Sequence, residues 1–213
     1  MRRIFWLSLA VICLLSLPAC FDYRGLEDQL IVSGIAVDTG DEGYTLTFEI
    51  VDVITTDSGQ FGSILLTATG ETFAEALSDA AGKLHREMYL GGLRVVLLGR
   101  TFAEEVGLMS IVAHLLEDKQ VRNSLPIVVT DEEAGTLLEQ EEEERRLVST
   151  ALSETLSRRD REDERMALHE IYSALVTGAW EVTLPLIGVS PGEGIPFVID
   201  GFVQFQDGRL QER

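Results

Sequence analysis

The chain offers few groups arranged for chemistry. Its two cysteines, Cys13 and Cys20, both lie near the N-terminus, so the body holds no thiol for a disulfide, a nucleophile or a thiolate metal site. The three histidines, His85, His114 and His169, fall on separate predicted helices. None has a second ligand at i+4, the spacing that puts two imidazoles on one helix face, so no metal is expected. The loop Asp38-Thr39-Gly40-Asp41-Glu42-Gly43 carries acids and glycines but lacks the spacing and closing Glu of a calcium loop, and reads as a turn. There is no Gly-rich phosphate loop and no G-x-S-x-G elbow. Carboxylates are too abundant to single out a pair. The body therefore reads as non-enzymatic and without a cofactor.

Cys20 is the exception. Arg2 and Arg3 give a positive start, Ile4 to Leu17 form an apolar stretch, and Leu17-Pro18-Ala19-Cys20 closes it. This is a signal-peptide layout over residues 1–19. The stretch is shorter than the ~20 apolar residues of a bilayer-spanning helix. The closing tetrapeptide resembles a bacterial lipobox, whose cysteine is diacylated and becomes the new N-terminus, a two-chain anchor of the strength stable attachment needs. Lipidation is expected at Cys20.

Charge narrows the partners. Seventeen Lys+Arg against 36 Asp+Glu leave a net charge of -19, a surface that repels nucleic acid and anionic lipid headgroups. At 46% hydrophobic residues the chain still has enough apolar material for a core.

The elements that would carry these residues follow from periodicity. Leu30 to Val37 and Tyr44 to Val53 flank the Asp/Gly loop as a β-hairpin. A unit then recurs, an apolar run followed by Thr-x-x-Glu and a helical pattern: Ile64-Leu65-Leu66 before Thr72 and Glu75, Val95 to Leu98 before Thr101 and Glu104, and Ile127-Val128-Val129 before Thr130 and Glu133. Each Thr is expected to cap a helix, and each Glu to reach back. The first helix places Phe73, Ala76, Leu77, Ala80, Leu84 and Met88 on one face. Residues 139–147 read as a charged linker or helix between an N-terminal α/β domain, 20–138, and a second region, 148–213. That region has a helix through Leu168, Ile171, Tyr172 and Leu175 that stops at Gly178. A strand through Val182, Leu184 and Leu186 follows, for which Pro185 predicts an edge position. Phe197 to Phe205 reads as a strand and Gln206-Asp207-Gly208-Arg209 as a hairpin turn with a short returning arm, so the region is expected to be incomplete and the native sequence to continue. The fold class is α/β (α+β), a mixed β-sheet layered with amphipathic helices, followed by a partial second α/β region.

Several segments carry a resemblance when taken in order. They are Cys20-Phe21-Asp22-Tyr23-Arg24, Ile31 to Asp38, the block Leu84 to Gly99 centred on Glu87-Met88-Tyr89-Leu90-Gly91-Gly92-Leu93-Arg94, Asp118-Lys119-Gln120-Val121-Arg122, and Val182 to Ile187. Together they resemble the C-subunit lipoproteins of bacterial spore germinant receptors, the Ger(x)C family, from Cys20 to about Phe205. Phe21 stands where tryptophan is usual in that family, and Gly92 where histidine is common. The resemblance implies a soluble α/β ectodomain on a lipid anchor at the outer face of the membrane, in the spore's inner membrane. Its partners would be an integral-membrane A subunit and a membrane B subunit that senses the germinant, and no catalytic residue belongs to the pattern. The competing expectations are a lipid-anchored substrate-binding protein of a transporter and an envelope assembly factor.

As a partner-binding site the exposed segment after the first helix is the strongest candidate. Tyr89, Gly91, Gly92 and Arg94 put an aromatic, two glycines and a cation at a helix-to-strand turn. The alternative for the glycines is a purely structural helix C-cap, with Gly91 or Gly92 left-handed.

Overall fold

The computed structural model of the chain describes residues 2–3, 6, 29–41, 43–52, 62–139, 147–158, 166–178, 181–189 and 197–211. Cys20, all of the apolar stretch before it except Trp6, and most of the charged run 139–147 lie outside them.

A nine-stranded mixed sheet forms the middle layer. The strands β1 (Gln29–Gly40) and β2 (Gly43–Asp52) make the expected hairpin across the Asp/Gly turn, and β3 (Gly62–Gly70) pairs antiparallel with β2 along its whole length. A helix, α1 (Phe73–Lys83), leads to the three-residue β4 (Glu87–Tyr89), which lies parallel to the start of β1. The strand β5 (Val95–Gly99) then pairs in parallel with the middle of β1. The helices α2 (Arg100–Glu105) and α3 (Met109–Glu117) cross over to β6 (Ile127–Thr130), parallel to β5. Three further helices, α4 (Ala134–Leu138), α5 (Val148–Arg158) and α6 (Leu168–Thr177), precede β7 (Val182–Val189), β8 (Phe197–Gln206) and β9 (Arg209–Leu210). The path across the sheet is β3-β2-β1-β5-β6-β7-β8-β9, with β4 beside β1.

Both faces of this sheet are apolar, and the helices divide between them. On one face Ile35, Phe48, Val96 and Leu98 meet Phe73 and Ala76 of α1, Phe102 of α2, Ile111 and Leu115 of α3, and Leu168 and Ile171 of α6. On the other, Ala36, Val95, Leu97 and Val128 meet Leu137 and Leu138 of α4 and Ala151, Leu152 and Leu156 of α5. Covered on both sides, β5 and β6 read as unbroken apolar runs, as buried parallel strands do.

The structure departs from expectation at several joints. The Thr-x-x-Glu unit caps a helix once: Thr72 Oγ1 accepts from Glu75 N at 3.2 Å, and Glu75 reaches back to Glu71 N at 3.1 Å. Thr101 lies inside α2, whose N-cap is Gly99, and Thr130 ends β6 and accepts from Glu132 N instead. Each strand is already followed closely by its helix, so the cap position is decided by where the sheet ladder ends. Met88 belongs to β4, because α1 stops at Lys83. Pro185 lies on a strand with neighbours on both sides, not at an edge. The β6 ladder takes up Leu186 and Ile187 only, so no β6 partner is asked of the residue without an N–H. Gly178 does stop α6, in the left-handed region at φ 61°. The strands of segment 148–213 extend the sheet begun by residues 29–130, because β7 pairs in parallel with β6.

The long outer strand β3 is partly blunted by α1. Lys83 Nζ donates to Thr67 O at 3.0 Å, and Thr69 N donates to Asp79 Oδ2 at 3.0 Å, while Asp79 and Lys83 pair with each other at 2.7 Å. Two backbone groups on the free edge of β3 are thereby satisfied by side chains, which removes part of a template for foreign strands.

Candidate functional site

The segment chosen from sequence is a docked turn. After β4 the chain makes one turn of 3₁₀ helix over Leu90–Gly92, not a left-handed helix C-cap, and neither Gly91 nor Gly92 has positive φ. The glycines answer to space instead. A Cβ on Gly92 would collide with Ile31 Cγ2 and lie 3.0 Å from Val32 O, and one on Gly91 would strike the Tyr89 ring. The turn is thus pressed against β1, with Leu90 and Leu93 buried and Arg94 N donating to Ser33 O at 2.8 Å.

A second segment fastens it from outside. Gln120 Oε1 accepts from Leu90 N at 3.0 Å, and Arg122 Nη2 donates to Leu93 O at 2.7 Å. Asp118 Oδ1 in turn accepts from Gln120 N at 2.8 Å, closing the Asp118–Arg122 loop on itself. The two sequence blocks around Tyr89 and Gln120 therefore form one unit, a contact between residues about 30 positions apart that periodicity does not reveal. Of the four residues singled out, Tyr89 is half-buried beside Gly91, Gly92 is the contact with β1, and Arg94 reaches the surface. Arg94 and Arg122 both line a groove of about 340 Å³ between this turn and α5.

Two carboxylates, the buried Glu49 and the half-buried Asp38, have structural roles that the sequence does not announce. Glu49, 0% exposed on β2, accepts from Val148 N at 2.6 Å, Ser149 N at 3.2 Å, Ser33 Oγ at 2.6 Å and Ser149 Oγ. It thereby caps α5 and favours the positive end of its dipole. Its signal was positional: Tyr44, Leu46, Phe48 and Ile50 alternate toward the core, so Glu49 must face the other layer. Asp38, at the end of β1, accepts from Ala134 N and Gly135 N, both at 2.8 Å, at the start of α4. Burial raises its pKa, against the two amide bonds that lower it, and nearby Glu133 adds to the rise. Neither carboxylate is aligned with a base or nucleophile; both fasten helices to the sheet.

The histidines are not gathered. Among the described residues no group of three or more His, Cys, Asp or Glu could hold a metal ion. His114 packs edge-on to Phe73, ring centroids 5.3 Å apart.

Comparison with known proteins decides the family. The family described as "Spore germination protein N-terminal domain" matches residues 22–189. The chain belongs to this family. Its match begins beside Cys20 and runs through both the Leu90–Arg94 turn and the Asp118–Arg122 loop. Relatives in Bacillus subtilis (strain 168) include spore germination protein KC, 32% identical over 133 residues, covering 57% of this chain and 33% of the relative. Spore germination protein B3 is 30% identical over 121 residues, covering 55% and 32%. Spore germination protein A3 is 28% identical over 126 residues, covering 56% and 34%. The chain spans about a third of the length of these relatives. A crystal structure of the GerBC protein is 17% identical and aligns with 83% of this chain and 50% of its own, at a TM-score of 0.39. The Ger(x)C resemblance in the motifs and this family membership agree.

Proposed function

We propose that this spore germination protein is a non-enzymatic lipoprotein subunit of a germinant receptor, held at the outer face of the spore's inner membrane by a diacylated Cys20. It assembles there with integral-membrane A and B subunits. The observation that carries the reading is the family match from residue 22, directly behind a lipobox-like tetrapeptide. The described domain is suited to a structural role: Glu49 and Asp38 are spent on fastening helices to the sheet, and the Tyr89–Arg94 turn is docked against β1. Arg94 serves as a partner contact, while Tyr89, Gly91 and Gly92 hold the turn's shape.

The anchor is tested by metabolic palmitate labelling and fractionation of wild type and Cys20→Ala. Label and membrane recovery in wild type, both lost in the variant, support it. An unlabelled, freely soluble wild-type protein overturns it. Copurification with the A and B subunits tests assembly, and their absence from a detergent-solubilised wild-type preparation sinks that part.

A further inference from the structure

The groove beside the Leu90–Arg94 turn reverses the charge of the molecule. The chain carries 36 acids against 17 basic residues, yet among the described residues no acid lines this groove, while Arg94 and Arg122 both do. Three other cations are engaged with carboxylates: Lys83 with Asp79, Arg100 with Glu104 and Asp131, and Arg158 with Glu154. Arg122 is held by its bond to Leu93 O, which uses one N–H of a five-donor guanidinium and leaves the rest oriented in place. Half-buried Pro126 and Met166 line the groove as apolar wall, together with Ser124 and Ser153.

We propose that this groove receives an acidic segment of a partner protein, with a carboxylate bridging Arg94 and Arg122 and an adjacent apolar side chain against Pro126 and Met166. Planar guanidinium groups suit carboxylates in paired geometry. A free anion alone gains little from exposed arginines at physiological ionic strength, so the apolar wall is what makes a peptide the better occupant. A lipid surface is disfavoured by the net charge of -19, which repels anionic headgroups across the rest of the molecule. At about 340 Å³ the groove takes one or two side chains, near the lower limit of ligand pockets.

The test rests on the proposed receptor membership and separates from it. The full chain is co-expressed with its A and B subunits, and recovery of each is measured at low and high salt for wild type, Arg94→Glu and Arg122→Lys. Among the described residues the Arg94 side chain has no hydrogen-bond or ion-pair partner, so Arg94→Glu leaves the turn intact, which circular dichroism verifies. The expected result is about tenfold weaker recovery of one subunit with Arg94→Glu, a milder loss with Arg122→Lys, and a wild-type interaction that weakens with salt. Equal, salt-insensitive recovery of wild type and Arg94→Glu overturns the groove while leaving receptor membership standing. No recovery of either subunit by wild type counts against membership itself. In that case binding of wild type, but not Arg94→Glu, to an immobilised acidic amphipathic peptide supports the groove. Equal binding there, or competition by 20 mM acetate alone, which marks a free-anion site, overturns it.

Discussion

At the scale of single residues, the carboxylates of buried Glu49 and half-buried Asp38 carry the most consequence. Glu49 has four donors and no solvent, so its removal strands the first amides of α5 and two hydroxyls together. Gln keeps the shape but replaces one acceptor oxygen with a donor that faces donors. Glu49→Gln is expected to lower stability by about 1.5–3 kcal/mol, the loss typical of hydrogen bonds to a charged group. A urea unfolding series reads this, and an unchanged midpoint would show that the cap contributes nothing. Asp38 behaves differently because burial raises its pKa. The native state then holds the proton more tightly than the unfolded chain. Asp38's contribution is fully present below the ordinary aspartate pKa and declines as pH rises through the raised native value. Relative to Asp38→Asn, which does not titrate, wild type should lose ground between about pH 4 and neutrality. Paired unfolding curves at the two pH values check the sign, and a gap that widens toward neutrality contradicts it.

At the scale of elements, the Leu90–Gly92 turn depends on contact with β1. Gly92→Ala forces Ile31 or the β1 backbone to move, and overpacking of this kind costs about 1–3 kcal/mol. Gly82, inside α1 with nothing within 4 Å of a Cβ, is the control: Gly82→Ala should be neutral or stabilising by up to about 1 kcal/mol. Thermal melts of both compare them, and similar melting temperatures would remove the steric account. The contrast also marks what sequence could reveal. The hairpin through Asp38–Gly43, the strands at Val95–Leu98 and Ile127–Val129, the cap at Thr72 and the stop at Gly178 are local patterns, legible because alternation and capping act within a few residues. The extent of α1, the place of Pro185 and the absence of caps at Thr101 and Thr130 were decided by pairing with distant strands. The same holds for the site. Tyr89 to Arg94 stood out as an aromatic and glycines at a turn, but their fastening by Gln120 and Arg122 is tertiary. Glu49 is illegible in the sequence because a lone acid in an alternating strand looks like a solvent-facing residue until a helix covers it, and Asp38 reads only as part of a turn until α4 is seen to start on it.

At the scale of the molecule, the sheet runs without a break from β3 to β9, and the helix that closes its second face comes from beyond the charged run. Val148, Ala151, Leu152 and Leu156 of α5 cover Val95, Leu97 and Val128, while its first turn satisfies Glu49. The family match likewise runs through residues 139–147 and on to 189. A fragment of residues 20–138 would therefore expose one apolar face of its parallel strands and leave a carboxylate facing that surface without its amide donors. Losing those side chains removes several burials, each worth about 1.5–3 kcal/mol. That sum matches the 5–15 kcal/mol by which whole domains are stable. The fragment is expected to lose cooperative unfolding and to bind a dye specific for exposed apolar surface, whereas residues 20–213 should unfold in one transition with coincident probes. A fragment that melts cooperatively without binding dye would mean that residues 29–138 close their own core, and that α5 is an attachment to the sheet and not its second wall.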